Sequence, residues 1–296
     1  MIRIAVFLAS AVLLALLFGA RSADSRVSDP LRVAWLTDEA VVHARAADAA
    51  LEATENLMRG AIDEARRGQA AVVGGTEDPT AALEAAGLGF EAAATPLTDA
   101  HAALIRLGWT LRAIDPRETS PQIGLLPADL VAVGAQWLAA ALPSAALSDM
   151  RRQAESTLEA LDDGLAALDD DDPSAALEAI DRATGHLEQV RDFQVRDVDS
   201  QEASTLAYWV DTVDGLIGAA RDIALAAQAG DAAALAAAQA AYDAATTNAS
   251  RADQALTIAL GEAATGITGP ASTSSADAVR AVGAARDQLA RLSILR

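Results

Sequence analysis

Side chains that carry most protein chemistry are scarce in this chain. Its 296 residues hold three histidines (His43, His101 and His186), no cysteine, and 22 basic residues that are all arginine. Without cysteine the chain has no disulfide, thiol nucleophile, thiolate-bound zinc or iron–sulfur cluster. Without lysine it has no Walker-A phosphate loop and no Schiff-base amine. The 42 acidic residues bring the net charge to −20. A chain so acidic repels a phosphate backbone, so nucleic acid is not an expected partner.

The remaining candidates each meet a plainer reading. Glu39 and His43 are four apart, a spacing that puts two metal ligands on one helix face. A ferritin-like di-metal site needs Glu three residues before His, and Ala40, Thr98 and Ala183 stand there instead. Asp169 to Asp172 is the densest acidic cluster. Counted as a calcium loop, it has Ser174 where Gly is needed and Ile180 where a carboxylate is needed. It reads instead as a solvated turn that caps the next helix. Gly87-x-Gly89-x-x-Ala92 matches the dinucleotide spacing, but no strand precedes it, so small residues at a close helix crossing are expected. Trp35, Trp109, Trp137 and Trp209 fall on four separate helical segments. They are expected to be the large core anchors that an alanine-rich bundle needs, rather than the lining of a ligand pocket. No Gly-x-Ser-x-Gly elbow and no His-Glu-x-x-His is present. No catalytic residue, no cofactor-binding residue and no metal ligand is therefore assigned, no cofactor is expected, and the chain is not read as an enzyme.

The elements that would position these groups are helices. Of the residues, 52% are hydrophobic and only 3% aromatic, and most of the apolar ones are alanine, the best helix former. Acceptor–proline pairs at Asp29-Pro30, Asp78-Pro79 and Asp172-Pro173 mark helix starts, and Thr95-Pro96 has the same form. Asp199 and Glu202 resemble a capping box. Breaks are expected at Gly74-Gly75, Asp115 to Pro127, Asp169 to Asp172, Gly230-Asp231 and Gly269 to Ser275.

Leu83, Phe90, Leu97, Leu104 and Leu111 recur every seventh residue, and Ala86, Ala93, Ala100, Leu107 and Ile114 fill the partner register. This stripe crosses Pro96 without a shift, which predicts one long helix kinked there. Its expected partner is the helix from Pro30 to about Val72, joined by a short turn and so antiparallel. Pro143 is expected to kink or separate the helix of Leu130, Val133 and Trp137 from a second amphipathic arm, Leu147 to Leu168. Further helices are marked by Leu177 to Val190 and by Leu206 to Ala220. An alanine-dominated helix follows from Asp231 to about Ala264, and Val279 to Leu292 make a short last one. The string Asp78 to Ala85 nearly repeats as Asp172 to Ala179, which shared cap chemistry explains as well as duplication does.

Arg3 precedes an unbroken apolar run from Ile4 to Phe18, with small residues after it. That pattern is a secretory signal with a site before Ala23, or else an uncleaved anchor over residues 4–20. No later apolar stretch is expected to supply a second span. The expected organisation is a signal or anchor at 1–22, an N-terminal helical bundle at 23–196 and a C-terminal helical region at 197–296, which together can form one continuous bundle. The fold class expected is all-α, an elongated antiparallel up-and-down bundle of long, partly kinked helices. The expected function is an exported, non-enzymatic binding or scaffold module at the cell envelope. It would be secreted, periplasmic or anchored to the cytoplasmic membrane with its bulk outside. Its partner would be a protein or a cationic group, with membrane contact only through residues 4–20 if these are uncleaved. The alternative is a periplasmic metal or cation handler using the acidic turns and His43.

Overall fold

A computed structural model describes residues 30–74, 77–193 and 200–292. They form an all-helical bundle with no strand among them. The helices are α1 (Pro30–Gly74), α2 (Thr80–Ile114), α3 (Pro127–Asp169), α4 (Pro173–Phe193), α5 (Ser200–Ala229) and α6 (Ala232–Ala290). The segment 1–22, the Asp29 cap and the Asp199 cap lie outside the described residues.

Local chemistry sets the helix ends. The Asp78 carboxylate accepts the Thr80 N–H at 2.9 Å, and that of Asp172 accepts the Ala175 N–H at 3.0 Å. The Asp231 carboxylate accepts from both Ala233 and Ala234. Each of these donors would otherwise lack a partner at a helix start. The bonds from Thr80 also hold the Asp78 carboxyl below the usual carboxylate range. Two ends close by paired carbonyl returns. Gly230 (φ +67°) donates to Ala227, and Asp231 to Ala226. Asp171 (φ +58°) donates to Leu168, and Asp172 to Ala167. This is the left-handed helix stop that glycine normally supplies, here carried once by an aspartate.

One of the expected breaks does not occur, and one expected separation is absent. The Gly269 to Ser275 segment and its Pro270 lie inside α6, a single helix of 59 residues. Pro143 likewise lies inside the 43-residue α3 and does not separate two helices. Burial explains the first. Ala264, Thr268, Ala271, Ser275, Ala278, Val282, Ala285 and Leu289 are buried at alternating spacings of four and three. The apolar contacts along this stripe offset the hydrogen bond lost at one proline. The Thr268 and Ser275 hydroxyls donate to the carbonyls of Ala264 and Ala271, so neither competes to open a turn. The stripe on α2 behaves as its spacing requires. Leu83, Phe90, Leu97, Leu104 and Leu111 are buried on one unbroken helix that contains Pro96.

The expectation that no later apolar stretch could supply a second span is also corrected, by length and composition alone. From Leu130 to Ser148 no charged residue intervenes, and this part of α3 is long and apolar enough to cross a membrane by length and composition. In the structure 39% of an apolar 18-residue stretch of α3 is buried, with Leu130, Val133 and Trp137 packed among the other helices.

Two hydrophobic clusters form the core. The first joins α1, α2, Leu130 to Ala141 of α3 and Ala271 to Leu289 of α6. The second joins Met150 to Leu161 of α3, α4, α5 and Ala249 to Leu260 of α6. The long helices α3 and α6 thus enter both, and each cluster combines residues from before and after position 197. Buried Ser144 and Ser148 of α3 lie between the two stretches, and the Ser148 hydroxyl donates to the Glu77 carbonyl in the α1–α2 turn. The near-repeated strings at Asp78 and Asp172 share their cap but not their packing. Leu83 is fully buried in α2, whereas its counterpart Leu177 is half-buried and Ala176 and Ala179 are buried instead.

Two stability measurements check these points. Asp171→Gly should relieve the left-handed backbone and raise the urea-unfolding free energy by about 0.5–1 kcal/mol. Gly134→Ala should do the reverse. A methyl at Gly134 would sit 2.6 Å from the Gly87 carbonyl oxygen, forcing α2 and α3 apart at a cost of about 1–3 kcal/mol.

Candidate functional site

The three histidines are not brought together. His43 Nε2 lies 3.7 Å from Glu39 Oε1, beyond a hydrogen bond. His101 Nε2 is 2.8 Å from the Leu125 carbonyl oxygen, which only accepts, so Nε2 is the donor. His186 Nδ1 is 2.9 Å from Gln153 Oε1, which ties α4 to α3. Among the described residues no group of three or more His, Cys, Asp or Glu could hold a metal ion. Asp169 to Asp172 form the turn described above, with Asp172 capping α4.

Gly87 and Gly89 serve close approach. A methyl at Gly87 would lie 2.9 Å from the Gly134 carbonyl oxygen, and one at Gly89 would lie 2.8 Å from the Ala61 Cβ. The spacing that resembled a nucleotide fingerprint lets α2 contact α3 on one side and α1 on the other.

The tryptophans divide in two, which corrects their reading as four core anchors. Trp137 and Trp209 are buried at 1% and 0% exposure. The Trp137 Nε1 donates to the Ser275 hydroxyl at 2.9 Å, joining α3 to α6. Trp35 and Trp109 are 61% and 66% exposed. Position on a helix cannot separate the pairs. Trp137 and Trp209 have neighbouring helices over them, while Trp35 and Trp109 project where α1 begins and α2 ends.

Trp109 borders a cleft of about 370 Å³ between the end of α2 and the segment 115–126. That segment folds back along α2. The Ser120 hydroxyl donates to the Leu104 carbonyl at 3.1 Å, and Gly108 permits this, since a methyl there would lie 2.7 Å from the Ser120 Cβ. The Gln122 N–H donates to the Gln288 side chain of α6 at 3.1 Å. His101, Ile105, Trp109, Arg112, Ser120 and Gln122 line the opening. Arg112 makes no ion pair with any described residue. The cleft offers an indole and an aliphatic surface beside one guanidinium, which suits an apolar body with an anionic head. It presents no nucleophile held by a base.

One cluster escaped the sequence reading. Arg286 of α6 reaches across to α1, with Nε 3.2 Å from Asp48 and Nη1 2.6 Å from Glu55. The bonds from Glu55 and Asp48 push its pKa further up. Asp48, Glu52 and Glu55 follow helical spacing, but their partner is more than 200 residues away. No local pattern announces such a pair.

No protein family, curated protein or solved structure matches the chain.

Acrylamide should quench Trp35 and Trp109 and spare Trp137 and Trp209. Replacing the exposed pair by Phe should remove most quenchable emission and change stability by less than about 0.5 kcal/mol, the range for exposed substitutions.

Proposed function

We propose that the chain is an exported, non-enzymatic helical protein that acts as a binding or scaffold module at the cell envelope. The observation that carries this reading is Arg3 followed by the apolar run Ile4 to Phe18, placed ahead of an all-helical body. We take the body as an elongated set of long antiparallel helices that bend at their internal prolines. Pair contacts support the antiparallel part. Ala61 lies against Gly89 and Leu83 against Gly68, so residue numbers rise on α1 as they fall on α2. Asp163 meets Arg182, and Gln153 meets His186, with the same reversal between α3 and α4. Such a body supplies long solvated faces with a surplus of carboxylates. It suits a protein or cationic partner better than a small substrate.

Fractionation of cells that make the protein, followed by N-terminal sequencing, tests the reading. Recovery outside the cytoplasm with Ala23 first, or in the cytoplasmic membrane with the body open to added protease, is the expected result. Recovery from the cytosol with residues 1–22 intact would overturn it.

A further inference from the structure

We infer that the free end of the α1–α2 pair is a phospholipid-docking tip, separate from any insertion of residues 4–20. This deepens the envelope reading above and uses its antiparallel pairing of α1 and α2. That pairing sets Trp35 level with Asp115, and Val42 level with Gly108. The other two helices of this cluster, α3 and α6, do not reach so far. The start of α3 at Pro127 adjoins Leu125, which is held at His101, and Arg286, near the end of α6, is held at Asp48 to Glu55. Among the described residues, α1 and α2 run beyond those points as a two-helix arm, covered only in part by residues 115–126, on which the end of α6 rests through Gln288.

An arm without a third helix cannot bury its outer faces. Val33, Trp35, Val42, Ile105 and Trp109 are all between 39% and 66% exposed. Trp is the side chain that best suits the boundary between acyl chains and headgroups, having an apolar ring and one N–H donor.

Charge separates this tip from the rest of the molecule. Residues 30–47 and 101–118 contain Arg32, Arg45, Arg106, Arg112 and Arg117 against Asp38, Glu39, Asp115 and Glu118. The tip is thus slightly positive on a chain of net charge −20. None of the five arginines is in an ion pair with a described residue; outside the tip Arg251 and Arg291 are also unpaired, while Arg59, Arg151 and Arg286 are paired. An anionic membrane surface repels the acidic body and accepts this end, where guanidinium groups can meet lipid phosphates. Arg112 and Trp109 at the cleft put a phosphate site beside an apolar one.

Position selects a bilayer rather than a second copy of the chain. The apolar run ends at Phe18, 12 residues before Pro30. Twelve residues reach at most about 40 Å. A membrane that receives Ile4 to Phe18 therefore lies within reach of the start of α1 and of the tip.

The full chain, mixed with phosphatidylcholine–phosphatidylglycerol vesicles carrying brominated acyl chains, tests the inference by tryptophan emission. Bromine quenches only indoles that enter the membrane boundary. Emission should fall by about twofold relative to unbrominated vesicles, since two of the four tryptophans belong to the tip. Most of that fall should vanish in Trp35→Phe/Trp109→Phe. Arg32→Gln/Arg112→Gln/Arg117→Gln should also reduce it, and added salt should weaken it. Flotation with unquenched tryptophans would show that residues 4–18 alone hold the lipid, and would overturn the tip while leaving the envelope reading intact. Quenching that persists in the Trp35→Phe/Trp109→Phe variant would overturn it too, because the signal would then come from the core. So would a vesicle-independent dimer that Trp109→Ala dissociates. Cytosolic recovery in the fractionation experiment would instead remove the envelope reading.

Discussion

Where α2 crosses α3, the backbone at Gly87 approaches Gly134 so closely that a methyl on either would strike the other's carbonyl oxygen. Gly89 against Ala61 and Gly68 against Leu83 repeat the constraint between α2 and α1. An alanine-rich core needs this closeness. Alanine buries little area, so its contacts accumulate only if helix axes come near enough for dispersion contacts to form along the whole seam. The chain has no disulfide to hold the helices in another way. Long helices follow, because a thin seam must be a long one. Ala40, Ala44, Ala47, Ala61 and Ala65 on α1, and Ala86, Ala93 and Ala100 on α2, are all buried.

Most of the polar groups inside the core are accommodated within their own helix, while Ser144 Oγ and Trp209 Nε1 have no hydrogen-bond partner among the described residues. Buried Thr54, Thr110, Thr157, Thr268 and Ser275 each donate to the carbonyl four residues earlier. Two of them also accept from another helix, Thr268 from Gln69 and Ser275 from the Trp137 indole. These bonds fix α6 in register against α1 and α3, which apolar contact between alanines does weakly. The surface ion pairs add little stability, since most are exposed and sit within one helix. Arg182, Arg191, Arg221 and Arg286 instead join different helices, and Arg286 binds the end of α6 to the middle of α1 just before the arm begins.

Much of the helix pattern could be read in advance because its causes are local. The caps at Asp78, Asp172 and Asp231 depend on carboxylates within three residues of unpaired N–H groups. The seven-residue stripe from Leu83 to Leu111 depends on helical periodicity. Gly269 to Ser275 was misread for a related reason. Glycine, proline and hydroxyl residues have a local preference for turns, but here the hydroxyls bond within the helix and the stripe from Ala264 to Leu289 continues across. The candidate site was less legible. The cleft at Trp109 exists because residues 115–126 fold back on α2 through Ser120 and His101, and neither contact follows from spacing.

The sequence by itself determined that the chain is helical, where most helices start and stop, and that no thiol or lysine chemistry is possible. These follow from side-chain chemistry acting over a turn or less. Tertiary structure alone decided that α3 and α6 serve two cores, that Trp137 and Trp209 are buried while Trp35 and Trp109 are exposed, and that Arg286 meets three carboxylates of α1. Burial depends on which other helix lies alongside and where it ends. A residue's own neighbours in sequence carry no record of that.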